Sequence, residues 1–153
     1  MKILISVCLL GIPCRYDGAS KAQPWAEELA RRHELVPVCP EQLGGLPTPR
    51  DPSERREGRV VMNTGADVTE QYRRGAEAAL RLCRMLGCEA AILKERSPSC
   101  GHGTIYDGTF TGTLTDGDGV TAELLLRNGI PVYGESRADS IKNDSKSYNK
   151  QVI

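Results

Sequence analysis

The feature that most constrains this chain is the recurrence of short apolar, β-branched runs between helical patterns. Residues 2–8 show little polar alternation and therefore read as a strand buried on both faces. Residues 34–39, 90–94 and 131–133 repeat the pattern. Between them, Pro24 opens a helix with Trp25, Leu29 and Ala30 on its apolar side. A long helix, capped by Thr64 or Asp67, runs to about Leu86 and stops at Gly87. Its stripe is Tyr72, Ala76, Ala79, Leu80, Cys83 and Leu86. Residues 120–127 form a further helix, ended by Asn128 and Gly129. Strands alternating with helices in this way predict a single-domain, Rossmann-like α/β fold. Its sheet is mostly parallel with right-handed crossovers, and helices cover both faces. Residues 104–114 read as a small β-hairpin, and residues 59–63 as a minor strand. Residues 40–58, rich in proline and glycine, read as an ordered loop or flap without a regular element. One α/β domain is expected over residues 1–134, followed by a polar C-terminal tail or arm over residues 135–153.

A chain of 153 residues suits one domain with one core. Its 20 basic and 20 acidic residues cancel, so no global field draws in polynucleotide or anionic membrane. No clear nucleic-acid surface is therefore expected. No apolar run approaches the roughly 20 residues that a membrane helix needs. Residues 1–10 lack the h-region and cleavage site of a signal peptide. No membrane association and a cytoplasmic location are expected. In a reducing compartment, six cysteines read as metal ligands, nucleophiles or core residues rather than disulfides.

An open α/β sheet places its ligand outside the carboxyl ends of its strands. Cys8, Cys39 and Cys100 each fall at or just after such an end, so positions 31 and 61 residues apart become neighbours. Cys14 lies in the loop after Cys8. For these four, three readings stay open: metal or cluster ligands, redox or nucleophilic thiols, or thiols without a role. There is no C-x-x-C pair, which removes zinc-ribbon and ferredoxin patterns. Cys83 sits on a helix stripe and reads as core, and Cys88 reads as structural. Glu41, two residues after Cys39, is either solvated or a general base. Ser97 either turns its loop or orients substrate or water. Arg15 and Arg50 are available to pair with carboxylates or to donate to a carbonyl ligand. Asp17 reads as a turn residue, and His102 as a loop residue or a ligand. Asp116 and Asp118 read as a turn with a helix cap.

Three segments together resemble a known family: VCLLGIPCRYDG (residues 7–18), PVCPEQLGGLPTPR (37–50) and LKERSPSCG (93–101). They are similar to the motifs of the small single-domain family that contains the thiouracil desulfidases, over residues 2–133. The resemblance implies a [4Fe–4S] cluster held by Cys8, Cys39 and Cys100, with Cys14 the rival to Cys8. It also implies Glu41 and Ser97 at the catalytic positions. Three protein ligands leave one iron open, and a Lewis-acidic iron suits soft thiocarbonyl sulfur. The expected activity is iron–sulfur-dependent hydrolytic removal of sulfur from a small thiolated nucleobase, taking 2-thiouracil to uracil and hydrogen sulfide. Glu41 is expected to activate the water and Ser97 to position water or ring. The competing expectations are a sulfur-transfer protein acting on RNA or another acceptor, and a non-enzymatic metal- or redox-binding module.

Overall fold

The computed structural model describes residues 1–141. Its elements are β1 (Lys2–Ser6), α1 (Ala26–Arg32), β2 (Glu34–Val38), α2 (Pro40–Leu43), β3 (Ser53–Arg56), β4 (Arg59–Met62), α3 (Thr69–Leu86), β5 (Ala90–Leu93), β6 (Thr104–Tyr106), β7 (Leu114–Asp116), α4 (Val120–Arg127) and β8 (Val132–Gly134). The four apolar runs form one parallel sheet in the order β2-β1-β5-β8. Two antiparallel pairs, β3-β4 and β6-β7, lie outside it.

Alternation along the strands assigns their side chains to two faces. Ile3, Ile5 and Ile92 pack with Leu29 of α1 and with Ala138 and Ile141. Leu4, Ala91, Leu93 and Val132 pack with Ala79, Leu80 and Cys83 of α3 and with Ala122 and Leu125 of α4. Each fully buried aliphatic side chain contributes about 1.5–3 kcal/mol relative to its exposed state, so both faces need a helical cover. The sheet is thus doubly wound, as the alternation implied. From β1 the chain steps to β2 on one side, then crosses over β1 to β5 on the other. The order reverses between β1 and β5, and in open α/β sheets such a reversal marks the place for a ligand at the carboxyl ends. Among the described residues, no helix is long and apolar enough to cross a membrane.

The structure departs from the sequence reading in four places. The first strand ends at Ser6, and residues 7–10, with Cys8, form a 3₁₀ turn. Residues 40–58 are not a loop without regular elements. They hold α2, which has Pro40 at its first position, and β3, which is paired with β4 from Ser53↔Met62 to Arg56↔Arg59. The tight turn joining these strands uses Glu57 and Gly58 at positive φ (51° and 76°), the backbone that a two-residue hairpin needs. The charged sequence of β3 hid it, because no apolar period marks that strand. The long helix begins at Thr69 with Val68 at its N-cap rather than Thr64 or Asp67, although Asp67 Oδ1 accepts the Thr69 N–H at 2.9 Å. Finally, the segment expected as a polar tail first returns Ala138 and Ile141 to the core. Residues 142–153 of that expected tail lie outside the described residues.

Candidate functional site

Each of the cysteines singled out from the sequence, other than Cys83 and Cys88, sits at the carboxyl edge of the sheet. Cys8 follows β1, and its carbonyl accepts the Lys21 N–H at 2.8 Å, which ties the first loop down. Cys39 is the residue immediately before α2. Cys100 ends the loop after β5. That loop is built from Ser97, whose Oγ accepts the backbone N–H of Ser99 at 3.1 Å and of Cys100 at 3.0 Å. The loop is pinned to α4 because Ser99 Oγ and Thr121 Oγ1 share a buried hydrogen bond of 2.8 Å. Between the adjacent ends of β1 and β5, Ser6 Oγ accepts the Lys94 N–H at 2.9 Å, stitching β1 to the start of the same loop.

All the cysteines are free thiols. Cys8, Cys14 and Cys100 are 6%, 3% and 5% exposed, and Cys39 is half-buried. They lie close enough to perturb one another. The Cys39 thiol pulls Cys14 down, but contact with Cys8 and burial outweigh it, leaving Cys14 at about 11. Cys39 is pushed up, first by Cys14 and then by burial. Burial pushes Cys100 up to about 12, opposed by a contact with Ser6 and reinforced by the charges of Glu41 and Cys39. The thiols of Cys14, Cys39 and Cys100 are thus held protonated, and metal ligation must displace those protons. Among the described residues, no three His, Cys, Asp or Glu side chains are grouped to hold a single metal ion. Thiols from successive strand ends along one edge are the donor type that iron–sulfur centres take.

Glu41 stands beside these thiols on α2. Its Oε2 accepts Arg50 Nη2 at 2.9 Å, and its Oε1 accepts the Tyr72 hydroxyl. The Arg50 side chain is 2% exposed and also donates to the carbonyls of Cys14 (3.1 Å) and Pro47 (3.0 Å) and to Thr48 Oγ1 (3.0 Å). It thereby joins the carboxylate to the first cysteine loop. Burial opposes the Arg50 charge, but Glu41 outweighs it and holds the guanidinium charged. The position of α2 comes from direct backbone contact with α3. A Cβ on Gly75 would lie 1.9 Å from Pro40 O, and one on Gly44 equally close to Gln71 O.

Of the two roles open to Arg50, pairing with a carboxylate is the one the structure holds. Asp17 accepts the Ala19 N–H at 3.0 Å and is a turn residue. Arg15 lies over the Tyr16 ring, 5.9 Å from its centroid. His102 is exposed and bonds Asp118 Oδ1 at 2.8 Å. Asp118 also accepts the Gly103 N–H at 2.9 Å, so it clamps the loop after Cys100 instead of capping α4. Cys83 is fully buried in the core and Cys88 packs against it. Tyr72 and Ser6 escaped the sequence reading. Their signals were a phenol on an otherwise apolar stripe, whose hydroxyl needs a partner when buried, and a hydroxyl at the end of a buried strand.

A doubly wound α/β domain with buried thiols at its switch point and a clamped carboxylate beside them defines a small α/β enzyme built around a sulfur-ligated centre. Residues 3–137 match the family model described as 2-thiouracil desulfurase, and the chain belongs to that family. The uncharacterized protein YbbK of Bacillus subtilis (strain 168) is 43% identical over 149 residues, covering 91% of this chain and 99% of that protein. The solved structure of the [4Fe-4S]-dependent thiouracil desulfidase TudS superposes with a TM-score of 0.90. It is 47% identical, over 95% of this chain and 97% of that one.

Proposed function

We propose that this chain is a thiouracil desulfidase that removes sulfur hydrolytically from a small thiolated nucleobase, with a [4Fe–4S] cluster held by Cys8, Cys39 and Cys100. The observation that carries this reading is the convergence of these cysteines, each from a different strand end, beside one anchored carboxylate. All of these residues lie within residues 1–134, to which we assign the chemistry. When bound with three protein ligands, such a cluster supplies a Lewis-acidic iron with an open position, suited to thiocarbonyl sulfur.

The chain's own residues supply the rest. A carboxylate has about four acceptor sites, so Glu41 can accept from Arg50, from Tyr72 and from a water together. Held in that way, it takes a proton from the water as the water's oxygen attacks the C–S carbon. The C–S bond breaks, the base gains a carbonyl oxygen, and both protons of the water pass to the sulfur, one of them by way of Glu41, so that it departs as hydrogen sulfide and Glu41 is left as the carboxylate. No electron is gained or lost. Ser97 accepts two backbone N–H groups, which leaves its hydroxyl hydrogen to donate to the water or ring. Its acceptor role also fixes the loop that presents Cys100. Arg50 keeps the carboxylate and the Cys14 loop in register.

Anaerobically reconstituted protein should convert 2-thiouracil to uracil with release of one sulfide per turnover. Glu41→Gln should lower kcat roughly 10²–10⁴-fold, the usual range for a general base. Undiminished turnover by Glu41→Gln, or by protein stripped of its iron, overturns the reading.

A further inference from the structure

We propose that Tyr72 is a positioning residue for the reaction: its hydroxyl fixes the rotation of the Glu41 carboxylate, so that the free acceptor sites of that carboxylate face the reacting water. The inference rests on the desulfidase reading and assigns a role to a residue outside the three motifs.

Tyr72 lies in the first turn of α3 and is 1% exposed among Leu46, Val60 and Val68. A phenylalanine would fill that space equally well, so packing does not explain the hydroxyl. It donates to Glu41 Oε1 and lies against the Ser53 side chain as well. The last torsion of a glutamate is a broad, roughly two-fold rotor, and one anchor on one oxygen does not stop it. Arg50 engages Oε2 from the loop after α2, while Tyr72 engages Oε1 from α3. Two donors on separate elements fix the carboxylate plane. The helix that carries Glu41, α2, is itself locked to α3 by the backbone contact of Gly75 with Pro40. Burial and the Glu41 charge push the tyrosine pKa up, so the phenol remains a donor throughout the working pH range.

The test is a double-mutant cycle of Tyr72→Phe and Glu41→Gln, with iron and sulfide content confirmed in every loaded sample. Tyr72→Phe should lower kcat about 10- to 100-fold and leave KM within about twofold, because a carboxylate turned by about 1 Å acts on the transition state more than on binding. The same substitution should cost nothing further in the Glu41→Gln background. Equal losses in both backgrounds, or an unchanged kcat, overturn the proposal. Failure of the wild type to release sulfide sinks the desulfidase reading instead. In that event, crystal structures of wild type and Tyr72→Phe decide the positioning claim: a rotated Glu41 carboxylate in the variant upholds it, and an unmoved one overturns it. If Tyr72→Phe does not fold, Tyr72→Met takes its place in the same cycle and comparison.

Discussion

Gly75→Ala separates local helix energetics from the close approach of two backbones. Gly75 lies in the interior of α3, where exchanging glycine for alanine gains about 1 kcal/mol of helix propensity. On that basis the variant should be more stable. The structure demands the opposite sign. The new Cβ would sit 1.9 Å from Pro40 O, 2.8 Å from Pro40 C and 3.3 Å from Gly44 N. All three are backbone atoms of α2 or its end, and no flexible side chain can swing aside. Relief requires α2 to retreat by about 1 Å, which strains the Tyr72–Glu41 bond and opens the contact between the helices. Overpacking of this kind costs about 1–3 kcal/mol, occasionally more, and a clash with rigid backbone belongs at the upper end. After the propensity gain, a net loss near 2 kcal/mol remains. For a chain of this size, that lowers Tm by roughly 4–8 °C. Thermal unfolding of the apo protein followed by circular dichroism measures it, and turnover of the reconstituted variant should fall by up to about 100-fold as Glu41 is displaced. A Tm equal to or above that of the wild type would refute the reasoning.

Two further predictions concern elements that hold the site. Thr121→Val strands the Ser99 hydroxyl, which is 1% exposed, and should cost about 1–3 kcal/mol in urea unfolding, with loosening of the Cys100 loop. Asp67 lies at about 2, below its ordinary 3.8, through the Thr69 side chain and backbone N–H and through Arg59. Its contribution is therefore present above about pH 3.8 and lost as pH falls through about 2. Asp67→Asn should be less stable than wild type at pH 6, with the difference closing on acidification; a difference that does not vary with pH contradicts this.

Much of the fold was legible because its driving force is written as periodicity. The runs ending at Ser6 and Leu93 are largely apolar because both faces of the sheet are covered there, whereas the edge strand ending at Val38 is partly exposed. The edge rule then put Cys8, Cys39 and Cys100 together without any local motif linking them. What stayed hidden was fixed by contacts far apart in sequence. β3 is SERR and carries no apolar rhythm, and it becomes a strand only through its pairing with β4. The closure of Glu41 between Arg50 and Tyr72 depends on two glycines, Gly44 and Gly75, whose meaning lies in each other's backbone. Asp118 looked like a helix cap by spacing, but the turn after Cys100 offered its carboxylate nearer donors.

The count of iron and acid-labile sulfide in anaerobically purified protein tests the central assignment most directly. Wild type and Cys14→Ala should each carry about four of both per chain, as a single cubane cluster requires. Cys8→Ala, Cys39→Ala and Cys100→Ala should each lose most of both. Full iron and sulfide content in any of those three variants, or a wild type that assembles no cluster under anaerobic reconstitution, would contradict the assignment.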